Sequence, residues 1–239
     1  MIRYGWRKRE DGFWVVWDLP DGPERVMMVP VEMQKGVDYV ERTWGDLDRR
    51  IGAEFGLPDG WLQAHEWRES GGNAKARNPE GTPDPGNDGL GLFQITYPGL
   101  KGRVQVVGED GKKHWVGGLT DEQIEEPERN TRIAARYMAG LVKVYGEDFP
   151  KISAAFNAGS VHPPLPGSDN PWNMHQTSGH VTSEVSAYNY WLSKYGPAPE
   201  LQNGVMISHD SSTAFPIIYE PEDVGPHAGP LRETDPEIA

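Results

Sequence analysis

The stretch PDGWLQAHEWRESGGN, residues 58–73, decides how the chain is read. Pro58 suits the first turn of a helix, and Gly71-Gly72 can supply the left-handed residues that end one. The body between them, WLQAHEWRES, therefore reads as a short helix with Glu69 in its last turn. Glu66 and Glu69 lie three apart and share a helix surface, but only Glu69 stands at the end. There the negative pole of the helix and any apolar cover disfavour ionisation, and a carboxyl kept protonated near neutral pH is a general acid. The alternative is a solvated Glu at a helix end. His65 and Glu69, four apart with Glu66 between, have the spacing of a zinc-peptidase helix but not its second imidazole, and no further His or Cys pair completes a site.

Outward from this helix, Val37, Val40, Trp44, Leu47, Ile51 and Phe55 recur at three or four residues and predict an amphipathic helix ending at Gly56. Residues 73–91 are rich in Gly, Pro, Asn and Asp and predict a long loop. RVQVV and KHWVG, either side of Glu109-Asp110-Gly111, predict a small inserted hairpin. Thr120 and Pro127 mark helix starts, with Ile133, Tyr137, Met138, Leu141 and Tyr145 as the inward stripe of the second. KISAAFNAG after Pro150 is a short apolar helix, and residues 182–195 another. Ahead of the first helix, FWVVW (13–17) and RVMMVPVEM (25–33) flank the turn LPDGPE and predict a β-hairpin.

Four pieces stand in order: the helix ending in Glu-Ser-Gly, GLGLFQIT (89–96), ERNTRIAARYMAGLVKVYG (128–146) and ISAAFNAG (152–159). Together they resemble the soluble lytic transglycosylase and goose-type lysozyme family. Its pattern runs Glu-Ser-Gly, Gly-Leu-Met/Phe-Gln, Asn-Ile-x-x-Gly-x-x-Tyr-Leu, Ala-Tyr-Asn-Ala-Gly. The resemblance covers residues 36–196 and implies a mainly α (α+β), lysozyme-like domain there. An N-terminal β-hairpin appendage (1–35) and an acidic, Pro-rich extended tail (197–239) flank it.

It further implies that Glu69 is the catalytic acid/base, with Ser70 beside it as a substrate contact, and that Gln94 and Asn157 line a sugar groove. Gln94 could equally satisfy loop backbone, Asn157 cap a helix and Asn130 cap or tether one. Phe93, Tyr137 and Phe156 are more often core than sugar platforms. The chain departs from the family pattern at Phe156, where a Tyr is usual, and at His180-Val181, near a Tyr-Val motif; Phe156 and His180 are thus candidate substrate contacts. The loop before Gln94 is longer than usual and holds Asp84 and Asp88.

The implied reaction is cleavage of the β-1,4 bond between N-acetylmuramic acid and N-acetylglucosamine in peptidoglycan, leaving a 1,6-anhydromuramyl end. It needs one carboxyl and no cofactor or metal. Water-using glycosidases normally need a second carboxyl, for which Asp84 or Asp88 would serve if the enzyme is a hydrolytic lysozyme. A third alternative is an inactive structural virion protein with this fold.

Composition bounds the setting. With 23 Lys+Arg against 36 Asp+Glu the chain is strongly acidic, net −13, which argues against a nucleic-acid binder. Residues 197–239 hold eight acids, one Arg and seven prolines. There is no Cys, hence no disulfide, thiolate site or lipid anchor on Cys. No run approaches a membrane span and no standard export signal is seen. The expectation is a phage enzyme, virion-associated or released to the periplasm and cell wall by a delivery system, with residues 1–35 and 197–239 docking on other virion tail proteins.

Overall fold

In the computed structural model, residues 3–9, 12–18, 24–78, 89–96, 100–102, 104–107, 113–162, 178–196, 200–202, 205–208 and 217–219 are described. The chain forms two compact units, one of residues 1–38 with 144–239, the other of residues 39–143. Helices dominate, with small antiparallel β additions, as the class expected from the sequence requires.

The N-terminal ribbon is larger than a hairpin. Strands β1 (Arg3–Arg9), β2 (Gly12–Asp18) and β3 (Glu24–Met28) form a three-stranded antiparallel sheet in the order β1-β2-β3. The β2–β3 pair, Trp14 opposite Met28 and Asp18 opposite Glu24, is the expected hairpin. The second strand is shorter than expected, because Val31, Glu32 and Met33 already belong to α1 (Val31–Phe55).

In the unit of residues 39–143, α1 continues to Phe55 and turns through Gly56 (φ 68). Then come α2 (Trp61–Ser70), β4 (Arg77–Asn78) paired with β5 (Gly89–Leu90), β6 (Val104–Val107) paired with β7 (Lys113–Val116), α3 (Asp121–Ile124) and α4 (Pro127–Tyr145). The inserted hairpin is β6–β7. Thr120 caps α3 with a reciprocal Thr120–Gln123 box, and Pro127 opens α4, where its missing N–H costs nothing. Ile51, Trp61, Leu62, Leu90, Leu92, Phe93, Ile95, Ala134, Ala135 and Met138 are buried core. On α4 the expected Met138 and Leu141 are buried, and Ala134 and Ala135 with them, whereas Ile133, Tyr137 and Tyr145 are half-buried. Across the surface of this unit, Arg132 joins Glu54 and Glu128, and Arg50 joins Glu128.

The other unit holds the N-terminal sheet, the start of α1, α5 (Phe149–Ala158) and α6 (Ser178–Tyr195). Asp148 caps α5 by accepting from the Lys151 N–H, and Phe149 meets the Tyr188 ring at 4.9 Å between centroids. α6 starts four residues earlier than its predicted stretch. Residues 200–219, read as extended tail, contain three short strands, β8 (Glu200–Gln202), β9 (Val205–Ser208) and β10 (Ile217–Tyr219), in one antiparallel sheet.

Asp38 of α1 is the polar clamp on α6. It accepts from Lys194 Nζ at 2.7 Å, Tyr195 Oη at 2.8 Å and Tyr190 Oη at 3.1 Å. Partial burial pushes the Asp38 carboxyl up, but these donors outweigh burial and hold it below its ordinary value of 3.8. A carboxylate with a depressed folded pKa contributes stability above its unfolded value, and that stability is lost as pH falls through the folded one. Asp38→Ala is therefore expected to cost about 1–2 kcal/mol at pH 7. In thermal unfolding at falling pH, the gap to the unsubstituted chain should close below pH ~3.

Candidate active site

Local sequence fixes the end of α2 from several directions. Gly60 (φ 88) precedes the helix, so that Pro58 lies outside it rather than in its first turn. At the other end Gly71 (φ 62) donates its N–H to Trp67 O at 3.0 Å, the left-handed stop expected of the Gly pair. Gly72 is glycine for a second reason: at φ 82, a Cβ there would stand 2.9 Å from Tyr39 Cε1. Ser70 Oγ donates to Glu66 O at 3.4 Å and accepts from Gly72 N at 3.2 Å, and Trp44 Nε1 donates to Gly72 O at 2.9 Å. The backbone that follows Glu69 is thereby tied to its own helix and to α1.

Glu69 itself is partly buried, with 17% of its side chain exposed. His65, one turn earlier and fully buried, brings Nε2 to 3.8 Å from Glu69 Oε1. The His65 ring stacks on Phe93, centroids 6.1 Å apart and planes 17° from parallel. Phe93 is thus core, as expected of an aromatic in this segment. Beyond the Gly pair, Asn73 Oδ1 accepts from the Lys75 N–H, and Lys75 and Arg77 both bind the nearly buried Glu125. These contacts anchor the start of the long loop.

The GLGLFQ segment is held on α4 by one side chain. Asn130, fully buried, accepts from Phe93 N at 2.8 Å and donates to Leu90 O and Ile124 O, both at 2.9 Å. This is the tether that an Asn at this position suggests. The contact is close because Gly91 (φ 74) has no side chain: a Cβ would lie 2.4 Å from Asn130 Nδ2. Gln94 adopts φ 46, rare outside glycine, and its amide donates to Ala76 O at 3.1 Å and Gly91 O at 2.9 Å. Its N–H groups therefore serve the loop backbone, and the side chain is half-buried.

Glu69, Ser70 and Gln94 belong to the unit of residues 39–143, whereas Phe156, Asn157 and His180 belong to the other. Within that second unit Phe156 is half-buried and Asn157 exposed in the last turn of α5, just before Gly159 (φ 79). His180, in the first turn of α6, places Nε2 at 2.7 Å from Oε1 of the fully buried Glu184. Asp84 and Asp88, the sequence candidates for a second carboxyl, lie outside the described residues. Sequence reasoning passed over Trp44, read only as core, and Asp48. The latter is 1% exposed and faces Glu66. Its place between Trp44 and Ile51 on the inward side of α1 was the available signal.

The family model described as the transglycosylase SLT domain matches residues 50–163, which contain Glu69, Ser70, Gln94, Asn130, Phe156 and Asn157. None of the curated proteins matches the chain. The 70 kDa soluble lytic transglycosylase of Escherichia coli is similar at 22% identity and a TM-score of 0.47, over 66% of this chain and 26% of that one. An inactive mutant of the lytic transglycosylase Slt of Pseudomonas aeruginosa is similar at 20% identity and a TM-score of 0.46, over 66% of this chain and 25% of that one. The chain spans about a quarter of the length of these two enzymes.

Proposed function

We propose that the protein is a lytic transglycosylase acting on peptidoglycan, with Glu69 as its acid and base, a reading supported by the match of residues 50–163 to the transglycosylase SLT domain model. The observation that carries the reading is the placement of Glu69. It is a partly buried carboxyl at the negative end of α2, and the turn after it is pinned by Ser70, Gly71 and Trp44. A carboxyl so placed can give its proton to a leaving oxygen.

The Glu69 carboxyl protonates the glycosidic oxygen between N-acetylmuramic acid and N-acetylglucosamine, and the bond from that oxygen to the anomeric carbon breaks. Positive charge at the ring is met by the substrate's own acetamido group. The muramyl C6 hydroxyl then attacks the anomeric carbon and passes its proton to Glu69. A 1,6-anhydro ring forms, the acid is restored and no water is consumed. Intramolecular attack has a high effective molarity, so one carboxyl suffices. Gln94, Asn157, Phe156 and His180 are the proposed substrate contacts, and Ser70 acts through the turn that it holds.

Mass spectrometry of muropeptides released from purified peptidoglycan tests this reading. Anhydromuramyl ends are expected; reducing ends would mean hydrolysis, and no release would favour an inactive structural protein. We further propose that the enzyme is phage-encoded and virion-associated, docking on tail proteins through residues 1–35 and 197–239. The acidic, proline-rich composition of the latter supports this. No helix among the described residues is long and apolar enough to cross a membrane. Deleting residues 197–239 should leave muropeptide release unchanged and abolish incorporation into particles; loss of soluble folding would count against docking.

A further inference from the structure

Asp48 and Glu66 are buried acids that the chemistry at Glu69 does not use. Asp48 lies on α1 and Glu66 on α2, one turn before Glu69; they are 1% and 0% exposed. All four carboxyl oxygens are shut off from solvent, and no N–H or O–H group among the described residues donates to them. The two carboxyls instead lie close enough to act on each other. Of the other charges that act on the pair, Glu41 repels Asp48, while Arg49 attracts it but is itself bound to Glu41 and Asp46. Among the described residues, Asp48 is the charged group shown to act on Glu66.

Two ionised carboxylates cannot stand in this place. Each would be buried without a cation or a donor and would face a like charge. A single proton between them removes the conflict, since a carboxyl O–H can donate to a carboxylate. Burial and the Asp48 charge hold Glu66 well above the ordinary range, and burial raises Asp48 to about 7. The pair therefore holds protons to a higher pH than either carboxyl would alone, and between its two ionisations it carries one proton.

We propose that Glu66 and Asp48 share a proton in a carboxyl–carboxylate hydrogen bond that seats α2 on α1, and that this pair positions Glu69 and releases it as pH rises. Both groups have higher pKa values in the folded chain than their ordinary values of 3.8 and 4.5. Their stabilising share is thus fully present below those ordinary values and is lost as pH rises toward and through the folded ones. Asp48's share is lost as pH rises through about 7, where the pair passes from two protons to the single shared one, and Glu66's share is lost as pH rises through its own raised value, which breaks the shared bond. The effect on activity rests on the role proposed for Glu69; the effect on stability does not.

The test is thermal unfolding from pH 5 to 9 of the full chain and of Glu66→Gln, with muropeptide release followed over the same range. The amide that this substitution introduces can donate to the Asp48 carboxylate without a titrating proton at that position. Relative to this variant, the Tm of the unsubstituted chain should fall steadily as pH rises. The alkaline limb of its activity should lie at least about one pH unit below that of the variant, a tenfold change in proton concentration. Parallel Tm curves for the two proteins would overturn the proposal. If Glu66→Gln does not fold, Asp48→Asn makes the same comparison, because it removes the like charge that keeps Glu66 protonated; a curve parallel to the unsubstituted one is again fatal. A chain that releases no muropeptides but keeps the pH-dependent Tm difference would count against the transglycosylase reading and leave the pair standing.

Discussion

Glu69→Gln is expected to lower the rate of muropeptide release by about 10³-fold or more while leaving Tm within about 1 °C. The amide is nearly isosteric and sits in the last turn of α2, where the backbone is held by Gly71, Ser70 and Trp44 and not by the carboxyl itself. The fold therefore has little reason to notice the change. The reaction has every reason: an amide neither protonates a glycosidic oxygen nor takes the proton of the C6 hydroxyl, so both halves of the proposed chemistry fail together. Initial rates on purified peptidoglycan, with products identified by mass, give the first quantity, and calorimetry gives the second. Residual anhydromuramyl formation within tenfold of the unsubstituted rate would remove Glu69 from its role. It would direct attention to carboxyls elsewhere, Asp84 and Asp88 among them.

The backbone around the candidate site was legible where local rules govern it. A Glu followed by Ser-Gly-Gly at the end of a short helix states where the helix stops and hence where the carboxyl stands, and the structure ends α2 at Ser70. Asn130 was readable as a tether for the same kind of reason: a buried amide needs backbone partners, and it has three.

What the sequence hides is pairing between distant segments. β1 carries Arg3, Arg7, Lys8 and Arg9, which mask any strand pattern, and only its backbone register with β2 makes it a strand. On α1 the hydrophobic period nominates Leu47, yet Leu47 is half-buried and Asp48 fully so. A buried Asp violates the pattern until Glu66, on another helix, is placed opposite it. Ionisable side chains in a core are intelligible only with their partners, and hydropathy carries no record of the partner.

Asn130→Leu should destabilise the protein by about 3 kcal/mol, the largest loss of stability expected from any single change discussed for this chain. Leucine is somewhat larger than asparagine and adds apolar area, so cavity formation is not the cause. The cause is three backbone groups, the Phe93 N–H and the carbonyls of Leu90 and Ile124, that lose their side-chain partner in a place closed to water. Each orphaned group costs about 1–3 kcal/mol, partly recovered where a shift of the chain finds water. That shift is constrained, because Gly91 already approaches the Asn130 side chain so closely that a Cβ would not fit. The GLGLFQ segment must therefore lift away from α4, carrying Phe93 off the His65 ring and Gln94 out of its positive-φ turn. Activity should fall with stability, but for a different reason from Glu69→Gln. Chemical denaturation should show a lowered midpoint, and limited proteolysis should cut within residues 89–96 before any global unfolding. Asn130→Asp separates the hydrogen bonds from the shape: it keeps the acceptor for Phe93 N–H and loses the donors to Leu90 O and Ile124 O, while burying a carboxyl that must hold a proton to replace one of them. Its stability should therefore decline as pH rises from 5 to 8, whereas that of Asn130→Leu should run parallel to the unsubstituted chain. Equal pH dependence in the two variants would mean that the side chain holds the loop by packing and not by its amide.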